Sequence, residues 1–285
     1  MLHFNQVLRR ALLPVLTVLA GSSVYAQYAT GFETPTFTAG STISGLDGWA
    51  TSFGVAGTKL VSTANPYSGS QHLRLTDSTT GAESIIKNVG AINVTQPFTV
   101  SFAFAVSNVS DGTGAQAQIL FGTANSTVGS NPYWFNVFYD DSSADTLANG
   151  SLFIGTNSAS GLSVSNINLG AFTTYAPIGS YVSFSITIDP TTFKYTSVTI
   201  TGATSGLVDK TSVVQTGGSL GTVPHLSTAA SSVPTDFTVL TGGSDTLTLD
   251  FDAVSFSQVP EPSTYAALAG IVSLGFVIRR RRCRR

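Results

Sequence analysis

The segment Phe98-Thr99-Val100-Ser101-Phe102-Ala103-Phe104-Ala105-Val106-Ser107 decides the fold class. Every second residue in it is large and apolar, and the residues between are small or carry a hydroxyl group. Successive side chains of a β-strand point to opposite faces of its sheet. The alternation therefore predicts a long strand with one face in the core and the other face outside.

The same period of two recurs in residues 182–188 and 247–251. After Phe251 the apolar positions shift to Val254 and Phe256, which predicts a β-bulge near Ala253. Turn-forming pairs such as Gly242-Gly243 separate the predicted strands. Further predicted strands are 71–76, 82–92, 115–122, 133–139, 151–155, 162–169, 195–201 and 237–240.

These patterns predict an all-β fold, an antiparallel β-sandwich of about a dozen strands. No convincing helical periodicity appears before Tyr265, and the Ser-, Thr- and Gly-rich segment 202–232 is interpreted as a long connection. The predicted sandwich spans residues 27–258. At that length one domain can bury a sizeable core.

Residues 1–26 have the organisation of a signal peptide. Arg9 and Arg10 precede an apolar segment, residues 11–20, and Val24-Tyr25-Ala26 provides small residues before a cleavage site at Gln27. The chain is therefore expected to enter the Sec translocon and to leave the cytoplasm.

Residues 259–285 contain three consecutive elements: Pro260-Glu261-Pro262, an apolar segment 265–278, and a tail with six arginines among its last seven residues. This order resembles the PEP-CTERM sorting signal of Gram-negative bacteria. The resemblance implies that an exosortase recognises Pro260, Glu261 and Pro262 and delivers the protein to the cell surface or beyond. The apolar segment predicts a short helix, shorter than the roughly 20 residues that cross a bilayer, which suits a transient hold in the inner membrane.

The composition between the two terminal signals excludes one class of partner. Residues 27–258 carry five lysine or arginine residues against fourteen aspartate or glutamate residues, a net charge of −9. An acidic domain of this kind has no electrostatic means of binding nucleic acid. The single cysteine, Cys283, lies in the tail, so this domain contains no disulfide.

Four segments carry a second resemblance: Gly31-Phe32-Glu33, Gly48-Trp49, the stretch 67–75, and Leu249-Asp250-Phe251-Asp252-Ala253-Val254. They resemble the jelly roll of concanavalin A-like lectins and carbohydrate-binding modules, which pair their first and last strands. The resemblance implies a structural calcium ion held by Glu33 and Asp252, with Asp250 and carbonyl groups near Gly69 completing an all-oxygen shell. The alternative is that these carboxylates bind nearby backbone groups.

Aromatic residues provide candidate glycan contacts. Trp134 is out of phase with Tyr133, Phe135 and Val137, which favours an outward side chain, and Tyr139 is a second candidate for stacking on a sugar ring. Trp49 is assigned to the core.

Catalytic chemistry finds little support in the sequence. A glycosidase needs two placed carboxylates, and the domain has only two glutamates, Glu33 and Glu83. Asp140, Asp141 and Asp145 follow the strand at 133–139 and are interpreted as a solvated loop.

Two functional hypotheses remain open. The first is a non-enzymatic surface or extracellular-matrix protein with a structural or adhesive role in an exopolysaccharide layer. The second is a glycan-binding jelly-roll module. A glycoside hydrolase is a distant third.

Overall fold

The computed structural model describes residues 26–54, 58–77, 82–90, 95–107, 114–122, 133–141, 150–157, 164–192, 194–216, 235–243 and 246–258. The strands in this part of the chain form two β-sheets. The strands are β1 Ala26–Thr30, β2 Trp49–Phe53, β3 Thr58–Ser62, β4 His72–Thr76, β5 Glu83–Asn88, β6 Phe98–Ser107, β7 Gln116–Gly122, β8 Tyr133–Asp140, β9 Ser151–Asn157, β10 Val164–Ala171, β11 Val182–Asp189, β12 Lys194–Gly202, β13 Gly206–Asp209, β14 Asp236–Gly242 and β15 Thr248–Gln258. The helices are short: α1 Phe172–Tyr175, α2 Thr211–Thr216 and a 3-10 turn at Leu46–Gly48.

The eight-stranded sheet has the order β13-β12-β11-β6-β15-β4-β3, with β1 also paired to β15. The seven-stranded sheet has the order β10-β9-β8-β7-β14-β5-β2. Neighbouring strands run antiparallel, as in the pairs β11–β6 and β7–β8. The predicted antiparallel β-sandwich is confirmed.

The core lies between the two sheets and is rich in phenylalanine. Phe102 stacks on Phe184 in its own sheet, with ring centroids 5.5 Å apart, and on Phe135 in the other sheet, at 6.0 Å. Trp49 is also buried, as expected. The predicted alternation in β6 is confirmed. Its large apolar side chains, which occupy every second position, pack between the two sheets.

The first and last strands pair, as the resemblance to jelly rolls implied. Ala26 lies opposite Ser257 and Thr30 opposite Val254. Ala253 has a φ of +52°, so the strand is irregular where the apolar phase shifts. Leu249 and Phe251 before this point, and Val254 and Phe256 after it, are all buried in the core.

The segment 202–232 is not a simple connection, in contrast to the prediction. It contains β13, which pairs with β12 from Thr199 to Gly202, and the helix α2, whose Val214 is buried. Four-residue strands and two-turn helices are too short to produce a recognisable period in a Ser- and Thr-rich sequence.

Residues 1–25 and 259–285 lie outside the described residues, and with them the predicted signal peptide, the sorting signal and its apolar segment 265–278. Within the ranges that the structure describes, no helix combines the length and the apolar character needed to span a membrane. Residues Ala26–Ser257 form one compact unit with its own core.

Candidate functional site

The outer face of the seven-stranded sheet carries a continuous row of side chains across six strands. Residues that lie directly opposite each other in paired strands share a face, so the row follows from the register. We call it the central row, and its members are Ser84, Leu240, Gln118, Phe138, Phe153 and Asn168. With strands about 4.8 Å apart, it is about 24 Å long.

A second row lies beside the first, two residues along each strand. We call it the flanking row, and its members are Ile86, Thr238, Leu120, Asn136, Gly155 and Asn166. Neither row contains an ionisable side chain. Both contain amide or hydroxyl groups beside apolar groups.

The middle of this face is buried, whereas one edge of it is open. Gln118 is 7% exposed and Asn136 is 3% exposed, although both belong to the outer face. Phe153 is half-buried, and Asn166 and Asn168 on β10 are exposed. The rows therefore run from exposed side chains on β10 to buried side chains on β7 and β8.

Three polar atoms on the face have no hydrogen-bond partner within the described part of the chain. They are Oε1 of Gln118, Oδ1 of Asn136 and Oγ of Ser84. A buried acceptor without a donor costs about 1–3 kcal/mol. The described part of the chain therefore leaves these oxygen atoms without the hydrogen bonds that they could form.

Two aromatic rings accompany these acceptors. Phe138 and Phe153 are stacked, with ring centroids 5.0 Å apart and ring planes at 12°. Gly155 follows in the flanking row and places no side chain between Asn136 and Asn166. The result is an apolar patch bordered by amide groups, an arrangement that matches a sugar ring with its apolar C–H face and its peripheral hydroxyl groups.

The two aromatic residues predicted to contact glycan have different positions. Tyr139 is fully buried and its ring meets Phe172 edge-on at 5.8 Å, which corrects the expectation that it stacks on a sugar. Its parity with Phe135 and Val137 placed it on the core side. The pairing of β8 with β7 is irregular at Trp134, which lies between the paired residues Phe121–Phe135 and Gly122–Tyr133. Its side chain lies outside the described residues, so its role stays a prediction.

The acidic residues after β8 also differ from the interpretation of a solvated loop. Asp141 is 1% exposed, and its Oδ1 accepts hydrogen bonds from the backbone N–H groups of Gly114 and Ala115, at 3.0 and 2.6 Å. Asp140 ends β8, and Asp145 lies outside the described residues. Asp141 has a structural role, because it fixes the start of β7.

Glu33 and Asp252 both bind the turn at residues 67–71. The Glu33 carboxylate accepts hydrogen bonds from the N–H groups of Ser70 and Gln71 and from the Ser70 hydroxyl, at 2.7, 2.9 and 2.6 Å. Asp252 Oδ2 accepts from the N–H groups of Tyr67 and Ser68, at 3.1 and 3.0 Å. The two residues therefore come to one place, as predicted.

The sequence of the turn suits this arrangement. Gly69 has a φ of +67°, and a β-carbon there would collide with the Glu33 carboxylate. Hydrogen bonds from Ser70 hold the pKa of Glu33 below its usual value. Burial raises the pKa of Asp252, and the backbone N–H groups that it binds oppose that rise.

The oxygen atoms of this pair do not fit a calcium site in the present arrangement. The remaining Asp252 oxygen, Oδ1, accepts from the Ala253 N–H at 2.7 Å, so N–H and O–H donors face every oxygen of both carboxylates. Asp250 binds His72 and Arg74 instead of completing a shell. The geometry supports the alternative, carboxylates that bind backbone, and a calcium ion here stays a prediction.

Chelation tests this point. We expect EDTA to leave the Tm of purified residues 26–258 unchanged, because protein N–H and O–H groups bind the carboxylates of Glu33 and Asp252. Differential scanning calorimetry with and without EDTA measures it. A fall of several degrees that added Ca²⁺ reverses would contradict this expectation, since an ion bound to the native state stabilises it by mass action.

The domain is similar in structure to several solved proteins. It resembles the globular domain of T. cruzi calreticulin with a TM-score of 0.53 and 12% identity, over 87% of this chain and 92% of that chain. A legume lectin-like domain from Entamoeba histolytica has a TM-score of 0.48 and 9% identity, over 84% and 100%. An endo-beta-1,4-glucuronan lyase from the fungus Trichoderma reesei has a TM-score of 0.48 and 10% identity, over 82% and 96%. At these identities the likeness concerns the fold alone.

Comparison of sequences adds the identity of the C-terminal segment. No curated protein sequence matches the chain. Residues 258–282 match the family model of the PEP-CTERM protein-sorting motif, and the match includes Pro260, Glu261 and Pro262. The chain is therefore a β-sandwich followed by a PEP-CTERM protein-sorting motif.

Proposed function

We propose that this protein is a non-catalytic component of the cell surface or extracellular matrix that holds polysaccharide on the outer face of its seven-stranded sheet. The sorting motif indicates an exported substrate of an exosortase. Export brings the domain to the compartment that contains exopolysaccharide. Exopolysaccharide is therefore the partner that we propose for this protein.

One observation carries the proposal. Among the described residues, the acceptor oxygens of Gln118 and Asn136 are buried without hydrogen-bond partners on the face that carries the stacked pair of Phe138 and Phe153. Sugar hydroxyl groups are donors that satisfy such acceptors, and the C–H face of a sugar ring packs on an aromatic ring. The absence of charge in both rows favours an uncharged glycan.

A catalytic role receives no support from this face. Retaining and inverting glycosidases use two carboxyl groups on either side of the scissile bond. The two rows contain none. Glu83 forms an ion pair with Lys59, and Glu33 binds the turn at 67–71. We therefore propose binding without hydrolysis.

The variant Gln118→Leu gives the sharpest test. It removes the acceptor and keeps a side chain of similar size, so we expect the affinity for polysaccharide to fall about tenfold, the equivalent of about 1.4 kcal/mol. Stability should be unchanged or higher, because the change removes a buried acceptor that has no partner among the described residues and loses only the long hydrogen bond from Nε2 to Gln116 Oε1, at 3.5 Å. Affinity electrophoresis of residues 26–258 in gels that contain exopolysaccharide from the producing cells measures binding, and thermal unfolding measures stability.

Two further variants define the site. Phe153→Ala should weaken binding to a similar extent, because it removes the half-buried ring of the stacked pair. Leu207→Ala is the control, since Leu207 is 72% exposed on β13 of the other sheet. Wild-type binding by both Gln118→Leu and Phe153→Ala would exclude this face as the glycan site.

A further inference from the structure

A second aromatic site lies on the opposite sheet and is independent of the two rows. Tyr67 is 46% exposed, and only Leu207 and Val213 are other large hydrophobic residues with high exposure in the described part of the chain. The Tyr67 ring packs on Tyr181, with centroids 5.3 Å apart. Its backbone N–H is bound to Asp252. An exposed ring is thus held on a fixed turn.

The neighbouring ring is fixed as well. The Tyr181 hydroxyl donates to the carbonyl oxygen of Asn65 at 2.7 Å, and Asn65 Nδ2 donates to the carbonyl oxygen of Gly179 at 2.9 Å. Both rings are therefore tied to the turn that precedes β4. Little side-chain freedom remains to be lost when a ligand binds, which favours affinity.

A guanidinium group lies beside the turn that carries Tyr67. Arg74 and Asp250 are opposite each other on the outer face of β4 and β15. Asp250 accepts from Nε and Nη2 of Arg74, at 2.6 and 2.7 Å, and His72 binds the same carboxylate at 3.0 Å. Asp252, which binds the Tyr67 N–H, follows Asp250 by two residues on the same face of β15, so the guanidinium lies beside the turn that carries Tyr67.

The third nitrogen of Arg74 remains available. Nη1 donates to no group in the ranges that the structure describes, and the side chain is 30% exposed. Asp250 holds the planar guanidinium in one orientation, so the two N–H groups of Nη1 point away from that carboxylate. They provide fixed donors for oxygen atoms of a ligand.

The charge of the surroundings selects the ligand. Asp250 neutralises Arg74, and Asp252 and Glu33 add negative charge nearby. Residues 27–258 carry a net charge of −9. A uronate or sulfated sugar would enter a repulsive field, whereas the hydroxyl oxygens of a neutral sugar can accept from Nη1 without that cost.

We propose that Tyr67, Tyr181 and Arg74 form a second glycan site, which binds a neutral sugar residue on the eight-stranded sheet. The sugar packs its C–H face on Tyr67 and accepts hydrogen bonds from Arg74 Nη1. Because the outer faces of the two sheets are on opposite sides of the sandwich, a domain with both sites would cross-link two polysaccharide chains. Only this cross-linking rests on the function proposed above; the Tyr67 site does not.

The test uses residues 26–258 and a fixed panel of probes: a neutral glucan, a galactomannan, a xylan and anionic alginate. We expect the wild type to bind at least one neutral probe, and Tyr67→Ala to lower that affinity about tenfold, as Arg74→Lys should through loss of Nη1. Tyr67→Phe should bind as the wild type does, because the ring is kept. The retained affinity should not change between 50 mM and 500 mM KCl, since no charge is paired.

The outcomes separate the two sites. Phe153→Ala combined with Tyr67→Ala should abolish binding and the turbidity that cross-linking produces, whereas each single variant should bind about tenfold more weakly and lose turbidity. Wild-type affinity in Tyr67→Ala would overturn the second site and leave the rows untouched. Binding to alginate alone, or to none of the neutral probes, would also overturn it. Tm measurements on all variants show whether Arg74→Lys is folded. If Arg74→Lys is unfolded, the affinity of Tyr67→Ala decides the result.

Discussion

Replacing Phe102 with alanine is expected to lower the free energy of unfolding of residues 26–258 by about 3–5 kcal/mol, the usual cost of removing a buried phenylalanine ring. Phe102 is 1% exposed. Its ring contacts rings of both sheets: Phe104, Phe135, Phe184, Phe237 and Phe251. No single neighbour can fill the cavity, because each is held by further rings.

Guanidinium chloride unfolding, followed by tryptophan fluorescence, measures the change. Phe153→Ala is the matched control, since it removes the same ring from the outer face, where the ring stacks on Phe138. Its expected cost is smaller, about 1 kcal/mol. Equal losses in the two variants would contradict the position of Phe102 at the centre of the core.

The second large effect is expected from Asp250→Ala. Asp250 is 2% exposed and is the acceptor for both Arg74 and His72. Its removal leaves a partly buried guanidinium without its counter-ion, and breaking a buried ion pair in this way costs about 3–5 kcal/mol. Asp250→Asn should cost less, because the amide oxygen still accepts one hydrogen bond.

The pH dependence gives an independent check of the same residue. Burial alone would raise the pKa of Asp250, but hydrogen bonds from Arg74 and His72 outweigh it, and the pKa is lowered. A carboxyl group whose pKa is lower in the folded state stabilises the protein above its unfolded pKa of about 3.9, and this contribution is lost as the pH falls through the folded value. The difference in stability between wild type and Asp250→Asn should therefore shrink below about pH 4. A constant difference from pH 7 to pH 2 would contradict the ion pair.

The alternation of apolar and small residues along single strands was sufficient to predict which side chains lie in the core. The alternation in β6 and the change of phase at Ala253 depend only on neighbouring residues, and both were predictable from sequence. Tyr139 was also predictable, because it shares its parity with Phe135 and Val137. The prediction that Tyr139 contacts sugar was therefore wrong for a reason that the strand pattern already contained.

The central row was not predictable in the same way. Gln118, Phe138 and Phe153 are adjacent only because β7, β8 and β9 pair in one register, and a shift of one residue would move any of them to the other face. Register depends on the connections between strands and on the packing of the whole sheet. The turn at 67–71 is similar, since Glu33 and Asp252 reach it from opposite ends of the chain.

The position of β15 has a mechanical consequence. The strand leads directly into the matched motif at residues 258–282, and it lies inside its sheet, beside β6 and with β4 and β1 paired along its two halves. A pulling force on the C-terminal end enters the domain along the axis of this strand. The hydrogen bonds to its neighbours are perpendicular to that axis, so they are loaded in shear and must break together. An edge strand would peel away one bond at a time, whereas β15 resists as a unit.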